Sequence, residues 1–190
     1  MELLEGIKSR RAIRKFKKQE VPKETIERIF EDSRWAPVVA AFRGWDFVIV
    51  RGEMRDRLAD LLTQNTVILR DLFAMMDPDS EKKALEYYKN LGDAPTLMFV
   101  TIPELPEEQR WEYSFQILTA TTEFMQIWLL AHREGLGACG ITVPPHIGRQ
   151  IQEELGLGGR EVIYGLSLGY PDEEPIAKPH PRVNATYIGY

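Results

Sequence analysis

The sequence predicts a domain that mixes helices and strands, and three observations carry that expectation. Residues 45–50 (WDFVIV) and 94–101 (APTLMFVT) are short apolar runs, the first mostly β-branched, and read as buried strands. Residues 161–175 (EVIYGLSLGYPDEEP) form a strand running into a turn, with Val162, Tyr164, Leu166 and Leu168 pointing one way and Ile163, Gly165 and Ser167 the other. Elsewhere apolar residues recur at helical spacing. The clearest case is 111–134, where Trp111, Phe115, Leu118, Thr122, Met125 and Leu129 follow one another at alternating intervals of four and three.

Length and composition narrow the class. At 190 residues the chain is one domain (1–190), or a protomer that shares its core with a twin. Hydrophobic residues make up 44% and charged ones 28%, a globular balance that excludes a disordered chain. The net charge of −5, with no long basic block to override it, speaks against general nucleic-acid binding. A lone cysteine, Cys139, excludes an internal disulfide framework and fits a reducing compartment. Glu2, Glu5 and Lys8 interrupt the start where a signal peptide would be apolar, and no run is long enough to span a membrane. The expectation is a soluble cytoplasmic protein with neither membrane nor nucleic-acid partners.

Taken in order, Leu3, Leu4 and Ile7 predict a short first helix. Residues 9–18 (SRRAIRKFKK) then pack six cations into ten positions. Read plainly, this is a solvated charged segment. Alternatively Ile13 and Phe16 anchor it to a core and hold Arg10, Arg11 and Arg14 as a phosphate site, since the guanidinium fork fits phosphate oxygens bidentately. Pro22 opens a helix whose inward face carries Ile26, Ile29, Phe30 and Ser33. Trp35-Ala36-Pro37 closes it, because the residue before proline is pushed out of the α region. A loop of small or apolar residues (38–44) with the one charge of Arg43 leads into the first strand. It is either an ordinary connection or a seat for a flat ligand held by backbone groups.

Residues 53–73 return to helix, with Gln64 and Asn65 as polar positions on what reads best as a solvated face. Residues 75–90 are charged, contain Pro78, and read as a mobile loop with a short helix, a cover that would bring Phe73, Tyr87 or Tyr88 over a substrate. The helix at 111–134 is apolar around most of its girth. It is either a central core helix or the seam between two copies of the chain. Gly135 stops it, and 135–141 (GLGACGI) holds glycines that allow close approach of a neighbouring strand or a flat ligand. Residues 144–155 are a further helix. The tail, 178–190, is too extended to fold on itself.

Five of these segments together resemble the FMN-dependent nitroreductase family: SRRAIRKF, WAP with its following Trp45, the long helix with its glycine-rich turn, Gly169-Tyr170-Pro171, and the basic tail. The resemblance implies an α+β nitroreductase-like fold, a mixed, mainly antiparallel sheet flanked by helices, in an intertwined homodimer whose tails dock on the partner subunit. It implies non-covalent FMN, contacted by Arg10, Arg11 and Arg14 and by Lys178 and Arg182 at the phosphate. Pro37, Val38, Arg43, Gly140 and Ile141 are implied nearer the ring. It also implies NAD(P)H as electron donor, hydride transfer through flavin N5, and a small organic acceptor such as a nitroaromatic or quinone. Two departures stand out: Ala12 replaces a serine, and Val38-Val39-Ala40-Ala41-Phe42 replaces a polar loop.

The residues themselves offer no competing chemistry. His132, His146 and His180 are scattered without metal-ligand spacing, Cys139 has no adjacent base, and no nucleophile elbow, P-loop or C-x-x-C is present. A chain with no catalytic side chain of its own to nominate fits chemistry carried by a cofactor. The alternative is a protein of the same fold that binds flavin weakly or not at all and serves as a ligand-binding or regulatory module. Arg43 is open in the same way: it reaches solvent or pairs with Asp46, or it lies along the pyrimidine edge of the ring.

Overall fold

A four-stranded antiparallel sheet of order β1-β2-β4-β3 separates two layers of helices, as seen in a computed structural model that describes residues 2–38, 43–64, 66–177 and 183–189 and, at 66–68, the backbone only. The strands are β1 (Asp46–Val50), β2 (Thr96–Pro103), β3 (Gly137–Ile141) and β4 (Arg160–Gly169). The helices are α1 (Leu3–Ser9), α2 (Lys23–Ser33), α3 (Gly52–Gln64), α4 (Thr66–Ala74), α5 (Pro78–Tyr88), α6 (Tyr113–Arg133) and α7 (Pro145–Glu154). One parallel bridge, Ala12 to Ala138, adds the segment after α1 to the outside of β3. The α+β class and the mainly antiparallel sheet are as the sequence predicts.

Alternation along β2 divides the core. Leu97 and Phe99, with Cys139 and Ile141 of β3, face Leu58, Leu62, Tyr87 and Ile151 on α3, α5 and α7. Met98 and Val100, with Leu166 and Leu168, face Ile29 of α2 and Phe124 and Ile127 of α6. The predicted alternation of β4 breaks at one place. Val100 pairs with Tyr164 but Thr101 pairs with Val162, so Ile163 is an extra residue. The bulge turns Val162 to the first core while Tyr164 stays with the second.

The helix expected over 53–73 is present on both sides of position 65, as α3 and α4. Two other expectations change. The loop expected over 75–90 is largely the regular helix α5. Asp77 caps it by accepting from the Ser80 N–H at 3.0 Å, and Pro78 fills the first turn, where no N–H is needed. Its tyrosines cover no substrate: Phe73, Tyr87 and Tyr88 are buried in the core, with the Tyr87 hydroxyl 2.9 Å from Ser167 Oγ. The glycine-rich 135–141 is a turn only at Gly135 (φ +75°) and continues as β3. Gln64 is exposed, and Asn65 lies outside the described residues.

Burying tyrosines has a pH consequence. Burial raises the Tyr88 hydroxyl from 10.0 to about 12, so the folded state keeps its proton where the unfolded chain begins to lose it. Stability from this group is complete below pH 10 and is lost as pH rises from about 10 toward 12, by on the order of 2–3 kcal/mol in total. Tyr88→Phe should flatten that part of a stability–pH curve measured by urea unfolding. An unchanged slope would show that Tyr88 does not contribute.

Long helix α6 keeps one apolar side uncovered. Ala120, Ile127 and Ala131 face inward, while Phe115, Leu118 and Met125 are 45%, 57% and 39% exposed, with Trp111 at 66% in the preceding 3-10 turn. No helix among the described residues is long and apolar enough to cross a membrane.

Candidate functional site

The basic arm that follows α1 is extended and laced down at several points. Ile13 N–H donates to Ala138 O (2.9 Å), Phe16 N–H to Gly92 O (3.0 Å) and Lys17 N–H to Tyr170 O (2.9 Å). Ile13 and Phe16 are buried and act as the anchors the sequence suggests. Gly137 is glycine for the same reason: a Cβ there would lie 2.7 Å from the Ile13 side chain. With the backbone so fixed, the cations take defined places.

Arg10 stacks over the Trp128 indole at 4.7 Å from its centre. Arg11 Nη1 donates to Lys8 O at 2.6 Å and Arg10 O at 2.7 Å. Both line a cavity of about 370 Å³ together with Ser9, Trp128, His132 and the first residues of β3. Burial lowers the Arg10 pKa, and the Arg11 guanidinium adds to the effect. Burial, then Arg10 and Arg11, likewise lower the His132 pKa, which favours a neutral imidazole 2.8 Å from Ser9 Oγ. Glu173 and Glu174 line the same cavity, and the Glu173 carboxylate accepts the Arg14 main-chain N–H. That N–H therefore already serves an anion.

Trp128 is also a wall of a larger cavity of about 940 Å³, bounded by α6, β4 and α7 and lined by Tyr113, Phe124, Val143 and Tyr164 among others. Its indole N–H is buried and finds no acceptor among the described residues. Orphaned donors of this kind are rare inside proteins, and one on the shared wall of two cavities suits a polar ligand atom. Gly140 lies against the Tyr164 hydroxyl, which a Cβ would meet at 2.4 Å, so a neighbouring strand fills the space that glycine leaves. Ile141 is wholly buried in the core beside Phe99 and Cys139 and lines neither cavity.

The remaining predicted positions lie elsewhere. Pro37 O accepts from Thr122 Oγ1 at 3.1 Å, with Val38 beside it in sequence. Arg43 donates to Arg34 O at 2.6 Å and stands 3.7 Å from Glu123, while Asp46, its expected partner, pairs with Arg160 at 3.1 Å. Glu123 is buried on α6, accepting from Ser33 Oγ (3.0 Å) and Trp45 Nε1 (2.8 Å). Thr122 and Trp128 are six residues apart on α6, roughly 9 Å along its axis. Within one chain the arm and the described residues Pro37, Val38 and Arg43 thus line separate places. Lys178 and Arg182 lie outside the described residues. Sequence reasoning passed over Trp128 and His132 as ligand neighbours, although their i,i+4 spacing puts them on one face of α6.

Chemically, the paired cavities suit an elongated ligand with an anionic end beside Arg10 and Arg11 and a flat aromatic end beside Trp128 and Tyr164. Among the described residues no group of three or more His, Cys, Asp or Glu could hold a metal ion.

Comparison with known proteins identifies the fold and the family. A putative NAD(P)H nitroreductase, YfhC of Bacillus subtilis, is 28% identical over 174 residues, covering 90% of this chain and 86% of the relative. The crystal structure of an FMN- and NADPH-dependent nitroreductase, NfnB from a Sphigopyxis strain, superposes with a TM-score of 0.77 at 21% identity over the whole of both chains. NfnB of Mycobacterium smegmatis, solved in complex with NADPH, gives 0.70 at 22% identity, covering 92% of this chain and 93% of that one. The family description "Nitroreductase family" matches residues 7–170 of the 190, and the chain therefore belongs to the nitroreductase family of oxidoreductases.

Proposed function

We propose that this chain is an FMN-dependent NAD(P)H oxidoreductase that reduces small organic acceptors and works as a homodimer. The observation that carries the reading is the pair of cavities sharing Trp128. Arg10 and Arg11 supply positive charge at one end, and an aromatic chamber of about 940 Å³ lies at the other. The relatives' own names, as NAD(P)H or FMN- and NADPH-dependent nitroreductases, point the same way.

In this reading Arg10, Arg11 and Arg14 hold the phosphate end, with the Arg14 N–H exchanging the Glu173 carboxylate for a phosphate oxygen. Lys178 and Arg182 are proposed for the same end. Trp128 and Tyr164 border the flat end, and Gly140 and Ile141, on the strand beside Tyr164, are proposed nearby. FMN supplies the hydride-accepting and hydride-donating centre. The protein's part is to bind and orient it, to exclude water, and to place donors and positive charge where the reduced ring is negative. Pro37 and Arg43 do not line the cavity of the arm in their own chain. Two copies packed through the uncovered side of α6 would bring one copy's loop to the other's cavity, which is why we propose the dimer as the working unit.

A second reading, a weakly flavin-binding module, is favoured by Glu173 and Glu174 at the basic cavity, since carboxylates oppose a phosphate. One experiment separates the two. Protein incubated with excess FMN and desalted should keep the visible flavin bands, and Arg11→Ala should weaken FMN binding by about tenfold, the cost of one charge-assisted contact. A colourless protein with no measurable FMN affinity would establish the second reading.

A further inference from the structure

Leu91, Gly92 and Asp93 form a 3-10 turn in which all three residues have positive φ, at 50°, 65° and 61°. For residues that carry side chains this left-handed backbone is unfavourable, and it persists only where the surroundings impose it. Here the surroundings are Arg55 of α3, which is 5% exposed. Its Nε donates to Ala94 O (2.8 Å), Nη2 to Asn90 O (2.7 Å), and Nη1 to Asn90 Oδ1 (2.7 Å) and Asp56 Oδ1 (2.9 Å). The guanidinium grips the residues on both sides of the turn. Asn90 Nδ2 closes it further by donating to Asp93 Oδ1 at 2.6 Å.

The apex of this turn meets the basic arm. Gly92 O receives the Phe16 N–H at 3.0 Å, and the Gly92 Cα is so close to Arg14 that a Cβ would lie 2.1 Å from the Arg14 carbonyl oxygen. The turn has two attachments: Leu91 is buried in the core, and Gly92 makes the close approach to residues 14–16. We propose that Arg55 is a positioning residue for Arg14: it clamps the 91–93 turn, and the turn sets the backbone from which Arg14 reaches the ligand. This rests on the reading of the arm as the flavin-binding segment.

A double-mutant cycle read by FMN titration tests it, with Arg55→Met and Arg14→Ala made singly and together and a thermal melt recorded for each. Arg55→Met should weaken FMN by about tenfold in the wild-type background, the cost of one charge-assisted contact, and by less than about twofold in the Arg14→Ala background. Its effect on melting temperature should be the same in both. Equal weakening in the two backgrounds, or none in either, overturns the proposal. So does an Arg14→Ala protein that binds FMN like wild type, a result that leaves the flavin reading standing. A wild-type protein without FMN affinity overturns both. Arg55→Lys is the parallel variant, keeping the buried charge but losing the fork that grips both sides of the turn, and carries the same test if Arg55→Met does not fold. Failure of both variants to fold would assign the turn a purely structural part and would also overturn the proposal.

Discussion

Glu123→Leu is expected to lower the unfolding free energy by about 3 kcal/mol, because breaking a buried charged network strands the groups left behind. The Trp45 indole N–H is buried and loses its acceptor, while the Ser33 hydroxyl falls back on Phe30 O, already 2.9 Å away. Arg43 is 45% exposed, so water takes over its charge and its loss adds little. At 2–4 °C per kcal/mol for a chain of this size, the melting temperature should fall by roughly 6–12 °C. Glu123→Gln should cost only about 1 kcal/mol, since the amide oxygen still accepts from Trp45 and the Ser33 hydroxyl can turn to accept instead. Urea unfolding of the two variants checks both figures. A leucine variant as stable as the glutamine one would show that the carboxylate does not hold α2, β1 and α6 together.

The second large effect concerns assembly. Leu118→Arg places a charge in the middle of the exposed stripe of Trp111, Phe115 and Met125. The side chain is 57% exposed, so the lone chain should lose little stability. If α6 is the seam, a desolvated arginine at its centre costs several kcal/mol per copy and the dimer dissociates. The expected result is a folded monomer in light scattering whose FMN affinity has dropped by about a hundredfold or more, since a cavity missing its partner's loop loses at least two contacts. A dimer that survives with flavin bound would place the seam elsewhere.

How far these sites could be read from residues alone differs case by case. The strand over 94–101 and the anchored arm were legible because burial leaves a trace in composition: Leu97 to Val100 of β2 is an unbroken apolar run, and Ile13 and Phe16 punctuate a basic one. The bulge at Ile163 was not legible, since alternation along β4 says nothing of the register that β2 imposes. Helix α5 was legible only as a short helix in a loop, because its charges look like a loop until Asp77 and Pro78 are read as a cap and first turn. Glu123 left a signal that went unread: with Gln116, Ala120 and Ile127 it falls on the inward phase of α6, where a carboxylate must have partners. Arg43 has its ion-pair partner there and not at Asp46, a choice between two carboxylates that only the fold can make.

The place of the basic arm has a bearing on solubility. With the order β1-β2-β4-β3, strand β3 stands at one margin of the sheet, where free main-chain groups invite another chain to add itself. The Ile13 N–H to Ala138 O bond and the Ala12 bridge occupy part of that margin, and the lysines and arginines on either side repel a further strand. Lifting the segment off would therefore bare a template for intermolecular pairing. Selection to keep the chain from aggregating and selection to hold an anion would act on the same few residues, and a substitution that relaxes one would be felt in the other.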